Sequence, residues 1–547
     1  MARHASALYL DEEQNISFRA RIYSQAAIRL ENSQTDTIPA VKTGQLIQHR
    51  NFYNPELDAK LTSYTSWMKG GGLGFLAPDD LSLRVAGWGF YDGVYDYASS
   101  QFDEARRRVN STYPNYLASS RSAFVLEGAE FNADGATFAD IFPGHEVKNP
   151  RDIYASQRRI NELYLSYGKG PFFLRVGRQA ISWGESDTIA LLDQNNPFDV
   201  TLSAPGIFQD LDEARIPLWT VRTSMNLFDT LGPLSSGFIE GYWVPGDLDV
   251  NTGTIPIQTA SPFSVRGADP QSQLGPINQQ FVLFDHVPRK RMDNSRWGVR
   301  VQTVVNRELT LSAWYYTHFP NAPVPKKNPR PKKAPLFVVE TVHDLTAVTG
   351  VAGTFFLEPL DGIVRMEAEY FDNEPAFTPE VNLGIGGPDP FGAVGSLPKA
   401  DYLRWELGFD RFFFLRFLNP TNSFTLVTAM VGSWNLSETK YHDYRMNGQN
   451  KPGTSGQDPN DFVQQKKVEA FAQAHLQTDY LHGRLSPGIT YIQNARGTYA
   501  ILPSVTYRWT DWLLFRLDFI EIGGDYAQAG FFRDRRQVSL RATYQLN

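Results

Sequence analysis

The sequence predicts an all-β chain: a transmembrane antiparallel β-barrel of a bacterial outer membrane, with about 18 strands. Three observations carry that prediction. Long segments alternate apolar and polar residues with period two, turn lengths alternate between short and long, and the composition is aromatic-rich yet polar overall. The chain has 547 residues with 25 Tyr, 37 Phe and 11 Trp, 42% hydrophobic residues and no cysteine. Its mean hydropathy is −0.35, far too polar for a bundle of membrane helices. No stretch offers the roughly 20 apolar residues that a membrane helix needs; the most apolar run, Phe412–Leu418, contains Arg416. Met1-Ala-Arg-His-Ala5 lacks the apolar core of a secretory leader, so a mature chain with its leader removed is expected. A net charge of −7 argues against a nucleic-acid partner.

A strand facing lipid on one side and a lumen on the other must alternate for about ten residues. In the final strand, Val538, Leu540, Ala542, Tyr544 and Leu546 share one face, and Ser539, Arg541, Thr543 and Gln545 the other. Val364, Met366, Ala368 and Tyr370 oppose Arg365, Glu367 and Glu369. Leu403, Trp405, Leu407 and Phe409 oppose Arg404, Glu406 and Asp410, and Leu513, Phe515, Leu517 and Phe519 alternate with Arg516 and Asp518. Val468–Tyr480 sets Glu469, Gln473, His475, Gln477 and Asp479 on one side. A soluble sandwich also alternates, but its strands average five or six residues and lack the Tyr and Trp that mark strand ends here (Trp434, Tyr480, Tyr491, Tyr507, Trp509, Trp512).

The connections give a second test. From Ile160 onward, tight turns at Gly168–Pro171, Thr230–Pro233, Asn306-Arg307, Glu358–Asp361 and Asn419–Asn422 alternate with long stretches reaching Glu213 and spanning 246–292, 319–335, 373–399 and 437–464. Short periplasmic turns and long extracellular loops produce this rhythm. Beyond His482-Gly483 it relaxes, with short connections at Asn494–Gly497 and Thr510-Asp511 and a medium loop over Gly523–Arg533. Towards the N-terminus, candidate strands fall at about 15–30, 57–67 and 80–94. The expected total is therefore about 18 strands, in a range from about 14 to 18, forming a single domain over 1–547. Segments 32–56 and 95–158 fit poorly and are expected as loops or lumen-plug inserts.

No enzyme is predicted, and no cofactor or metal. The nine histidines are scattered, without His-Glu-x-x-His; there is no Gly-x-Ser-x-Gly elbow and no phosphate-binding Gly-x-x-x-x-Gly-Lys-Ser/Thr. Gly70-Gly-Gly-Leu-Gly74 lacks a βαβ setting and reads as a periplasmic turn. The charges predicted to face the lumen are Arg365, Glu367, Glu369, Arg404, Glu406, Asp410, Glu469, His475, Asp479, Arg516, Asp518 and Arg541. Their mixed signs suit a cross-strand ion-pair network, and they also suit a pore lining acting as an electrostatic filter. Pro320–Pro335 is a proline-stiffened loop with a basic cluster, Lys326, Lys327, Arg330, Lys332 and Lys333. On the turn rhythm it is extracellular, where outer-membrane lipids and lipopolysaccharide phosphates would attract it; an ordinary solvated loop is the alternative. The acidic stretch Asp210-Leu-Asp-Glu213 has no clear partner.

The segment Arg175-Val-Gly-Arg-Gln-Ala-Ile-Ser-Trp-Gly-Glu-Ser186, with Asn196-Pro-Phe-Asp199, Pro205-Gly206, Asp212–Pro217, Trp297–Arg300 and Ala313–Tyr316, resembles the outer-membrane family catalogued as domain of unknown function 1302. The likeness runs from about residue 80 to the C-terminus; the N-terminal stretch and the ending Gln-Leu-Asn547 depart from its pattern. The resemblance implies a barrel loosely similar to long-chain fatty-acid channels. It also implies, as partners, a periplasmic lipid carrier and an inner-membrane exporter of the resistance-nodulation-division class, and hence lipid-like cargo.

Arg178, Gln179, Trp183, Glu185 and Ser186 lie where a strand runs into the long loop ending near 213. Trp183 is a candidate interfacial anchor, and an Arg178–Glu185 pair would fold the loop inward to narrow the pore. The functional expectation is a channel or transporter for hydrophobic or amphiphilic molecules. A water-filled porin for small polar solutes, and a plugged assembly barrel docking a partner through its loops, are the alternatives.

Overall fold

The computed structural model describes residues 8–32, 41–70, 72, 74–97, 123–125, 155–184, 192–200, 202–203, 205–253, 281–286, 288–321, 324–328, 337–375, 399–437, 445–446, 462–463, 467–524, 532–533 and 535–546. Eighteen strands form the wall: β1 (Ile16–Arg29), β2 (Leu46–Lys60), β3 (Asp80–Asp92), β4 (Ser156–Lys169), β5 (Phe172–Gln179), β6 (Leu218–Leu231), β7 (Leu234–Val244), β8 (Arg296–Val305), β9 (Leu309–His318), β10 (Thr346–Leu357), β11 (Gly362–Pro375), β12 (Lys399–Phe413), β13 (Phe424–Asn435), β14 (Val468–Thr478), β15 (Leu485–Asn494), β16 (Tyr499–Arg508), β17 (Leu513–Gly523) and β18 (Gln537–Leu546). Each pairs antiparallel with the next, and β1 pairs with β18 from Ala20↔Leu546 to Arg29↔Gln537. The sheet is closed, so every wall strand has two neighbours and no edge meets lipid.

The sides of the wall follow the predicted alternation. On β11, Met366 and Tyr370 are exposed to the lipid side while Arg365, Glu367 and Glu369 are buried inside. On β12, Leu407 faces out and Glu406 in. Exposed Trp297, Trp434, Trp509, Trp512 and Tyr544 lie near strand ends, at the levels where amphipathic rings favour the membrane interface. No helix among the described residues is long and apolar enough to cross a membrane. This is an outer-membrane β-barrel.

The start of β1, the end of β18 and the tight turns share one end, which in bacterial barrels is the periplasmic one. Asn306 and Arg307 both take positive φ (51° and 64°), the twist a two-residue hairpin turn needs. The one long connection at this end, 61–79, contains Gly70–Gly74 and holds short helical turns.

Two expectations for the N-terminal third change. The second strand spans Leu46–Lys60, not 57–67, so the last eleven residues of the supposed insert 32–56 belong to the wall. Inward Phe52 stacks on Tyr23 of β1 at 4.7 Å and meets Trp88 of β3 at 5.9 Å; this aromatic cluster interrupts an inward face that is otherwise polar. Most of 95–158 lies outside the described residues, and its last three residues start β4.

The proline-rich loop is also partly structured. Val324–Asn328 pairs antiparallel with Phe337–Val342, placing Lys326 opposite Glu340 and Lys327 opposite Val339. Phe281–His286 joins Phe337–Val342 in parallel, and Ala123–Val125 joins Phe281–His286. Three extracellular connections thus share one small sheet. Arg330, Lys332 and Lys333 lie outside the described residues.

Candidate functional site

In the connection between β5 and β6, the described residues 180–184, 192–200, 202–203 and 205–217 fold into the lumen and narrow it. Its first anchor is Trp183, only 2% exposed. The indole lies 5.0 Å from the Tyr242 ring and 6.3 Å from Tyr316, donates to Glu240 and lies beneath the Arg300 guanidinium. Gly298 on β8 makes the room: a Cβ there would come within 2.9 Å of the indole. Trp183 is therefore a lumen anchor, not the interfacial one expected. The next residue, Gly184, has φ +95°, a backbone conformation that strains any residue with a side chain, and a Cβ on it would displace the Glu367 carboxylate 2.6 Å away.

Side-chain to backbone bonds hold the loop's shape. Asn196 accepts from the Ile181 amide at 2.6 Å and donates to the Ile216 carbonyl at 2.9 Å, tying its two ends together. Asp193 accepts from Ser182 at 2.7 Å and from Arg215 at 3.1 Å. The Tyr242 hydroxyl donates to Asn195 and the Tyr316 hydroxyl to the Leu192 carbonyl.

The far end docks on the opposite wall. Glu213 accepts from the Tyr23 hydroxyl at 2.9 Å and pairs with Arg21 at 3.2 Å. Burial pushes its carboxyl up to about 6, with nearby Asp210 adding to the rise against Arg541, Arg21 and Arg50. Asp210 pairs with Arg541 at 3.0 Å. Burial alone would raise Asp210, but Arg541 and Arg21 hold it below its ordinary value. Arg159 of β4 donates to the Glu213 and Arg215 carbonyls, both at 3.0 Å. The acidic stretch Asp210–Glu213, without a visible partner in sequence, finds its arginines on β1, β4 and β18.

The expected lumen charges other than Asp479 are inside the barrel, mostly as ion pairs. Arg365 bonds Asp410 at 3.1 Å, Arg404 grips both Glu374 oxygens at 2.8 and 2.7 Å, Glu469 holds Arg496 and Arg516 meets Asp518 at 2.7 Å. Glu369 accepts from Trp314 at 2.8 Å, Glu406 is buried opposite Glu367 in register, and His475 meets Thr490 at 2.8 Å. Asp479 lies past the end of β14, where it accepts from Ser486 and so belongs to a periplasmic turn. Gln179 is buried and donates to the Thr220 carbonyl at 3.2 Å. Arg178 is half-buried at the end of β5, opposite Trp219; Glu185 and Ser186 lie outside the described residues, so their part in folding the loop stays outside them too.

Sequence reasoning missed the arginines of the first half of the wall. Arg21, Arg50, Arg84, Arg159, Arg175 and Arg222 line β1 to β6. Arg84 bridges Glu56, Asp58 and Glu162, and Arg222 pairs with Glu240 at 2.6 Å. Others lie over rings, Arg159 on Trp88 at 4.2 Å and Arg50 on Phe90 at 4.6 Å.

Between loop residues 205–211 and the wall of β14–β18 and β1 a cavity of about 660 Å³ remains. Its lining is mixed: Arg516, Asp518, Arg541 and Gln25 on one part, Phe471, Ile492, Leu502 and Ile520 on another. Among the described residues no group of three or more potential metal ligands occurs.

The family model described as "Protein of unknown function (DUF1302)" matches residues 1–546. The chain belongs to this family. The match includes the N-terminal third, which looked divergent in the sequence. No curated protein matches the DUF1302 chain. Among solved structures it is similar to OccK9 (OpdG) of Pseudomonas aeruginosa, at 10% identity and TM-score 0.44 over 97% of this chain and 98% of that one. It is also similar to OccAB1 of Acinetobacter baumannii, at 10% identity and TM-score 0.42 over 100% and 99%. The capsule-assembly barrel Wzi of Escherichia coli matches at 9% identity and TM-score 0.38, over 97% and 84%. Scores at this level add nothing beyond the closed sheet already described.

Proposed function

We propose that this DUF1302 barrel is a constricted channel for amphiphilic, lipid-like molecules. The observation that carries the reading is the remaining cavity beside the inward loop, whose wall is polar in one part and apolar in another. A water-filled porin keeps its inward face polar; here Ile492, Leu502, Ala500 and Ile520 occupy inward positions on three neighbouring strands. The ion-paired remainder of the lumen favours the second reading, a porin for small polar solutes.

The test is reconstitution of the full chain in planar bilayers and in liposomes. The channel reading expects small ion currents and saturable uptake of a medium-chain amphiphile. Sugar uptake that falls smoothly with solute size, with no amphiphile uptake beyond that of empty liposomes, selects the porin; no flux of either kind selects a plugged barrel. As partners we propose lipopolysaccharide at the extracellular hairpin bearing Lys326 and Lys327, and, on family resemblance, a periplasmic lipid carrier and an exporter at the other end. Co-purification from crosslinked membranes tests both.

A further inference from the structure

The cavity beside the loop changes character with height. Going towards the extracellular end, inward positions read Arg516, Asp518, Ile520, Ile522 on β17, Ser504, Leu502, Ala500 on β16, and Thr490, Ile492 on β15. Cross-strand register aligns these steps: Arg516 faces Arg541, Asp518 faces Ser504 and Ser539, and Ile492 faces Ala500. The lower rows are charged or hydroxylic; the upper rows carry Leu502, Ile492, Ile520 and Ile522, with the amides of Gln473 and Gln537 beside them. Loop residues Ile207 and Phe208 add to the upper part, Phe208 meeting Phe532 edge-on at 5.2 Å.

The lower part contains an unusual pair. Arg516 and Arg541 are directly opposite on neighbouring strands, where like charges repel unless each is neutralised. Arg541 is well served: it donates to Asp210 at 3.0 Å and to Gln25 at 2.6 Å and lies over the Tyr23 ring. Arg516 commits only Nε, to Asp518. Among the described residues its two terminal nitrogens make no hydrogen bond, and its side chain is 46% exposed. A guanidinium with spare donors thus sits at the foot of a cavity with one apolar side, whose volume suits a small molecule by the usual range of about 300–1,000 Å³.

We propose that this cavity binds an amphiphile with a single carboxylate head. The head takes the terminal nitrogens of Arg516, whose planar fork matches a carboxylate, and the tail lies along Ile520, Leu502, Ile492 and Phe471 beneath Phe208. The assignment rests on the reading of the barrel as an amphiphile channel and narrows its cargo to anions.

The experiment titrates octanoate, octanol and acetate into the full-length barrel in nanodiscs by calorimetry, with empty nanodiscs subtracted, and records ion current from the same protein in planar bilayers. Octanoate is expected to bind at least about tenfold more tightly than octanol, which lacks the charge, or acetate, which lacks the tail. Arg516→Gln is expected to erase the advantage over octanol, Arg516→Lys to keep part of it, and Leu502→Asn to weaken octanoate without changing acetate. If Arg516→Gln fails to fold, the double variant Arg516→Gln/Asp518→Asn removes the ion pair whole and takes its place. Equal binding of octanoate and octanol, or octanoate binding indifferent to Arg516, overturns the site. A barrel that binds octanoate but passes neither ions nor octanoate keeps the site and overturns the channel reading instead.

Discussion

Replacing Trp183 by alanine should release the inward loop while leaving the barrel closed. The indole is buried between Tyr242 and Tyr316 and donates to Glu240, so its truncation removes ring packing and a hydrogen bond together. Buried Trp→Ala changes cost about 3–5 kcal/mol. The wall's strand pairing does not involve Trp183, so that cost falls on the docked state of the loop. It corresponds to a shift of about 10²- to 10⁴-fold toward the undocked state. Single-channel recording in planar bilayers is the assay: Trp183→Ala should show long-lived levels of higher conductance that are rare in the parent. Trp183→Phe keeps a ring and leaves Glu240 paired with Arg222 and Arg300, so it should lose only about 1 kcal/mol and behave nearly as the parent. A conductance histogram unchanged in Trp183→Ala, with the substitution confirmed, refutes the loop as the constriction or Trp183 as its anchor.

Glu213 links the same loop to pH. Its carboxyl, raised from an ordinary 4.5 to about 6, gives docking a stabilisation of about 2 kcal/mol that is full below pH 4.5 and lost as pH rises through 6. The groups facing it are Tyr23, Arg21, Arg50, Arg159, Arg541 and Asp210, and recordings at pH 5 should show more low-conductance time than at pH 7.5, a difference that Glu213→Gln flattens. Gly184→Val should also undock the loop, since φ +95° strains a β-branched residue and its Cβ would displace the Glu367 carboxylate; conductance rises while heat stability of the barrel holds. Leu407→Arg, on the lipid side, should cost about 2–4 kcal/mol in urea unfolding, whereas His475→Arg inside the lumen should cost far less; similar losses at the two positions would refute the assignment of faces.

The wall was legible wherever one face is apolar and the other charged, as on β11, β12, β17 and β18. It was hidden on β2, where Pro55 weakens any strand reading. There, inward Phe52 and outward-side His49 and Asn51 break the alternation. Phe52 faces inward because Tyr23 and Trp88 meet it there, a tertiary reason no local pattern carries. The Trp183-Gly184 pair was visible as a loop feature, but its place was not. A tryptophan near a strand end satisfies the interface rule, and only the Tyr242–Tyr316 pocket draws it into the lumen. Asp210 and Glu213 likewise needed Arg21 and Arg541, more than 180 and 320 residues away in sequence.

The seam between β1 and β18 sets an order of events. The strand that closes the cylinder is the last one synthesised, and it carries Arg541, which holds Asp210 of the inward loop. Arg21, on the other lip of the seam, holds Glu213. Until the first and last strands meet, the two ion pairs at this end of the loop lie on separate, unjoined edges. An unfinished cylinder therefore lacks a fully fastened gate, and completing its assembly is also what sets its throat.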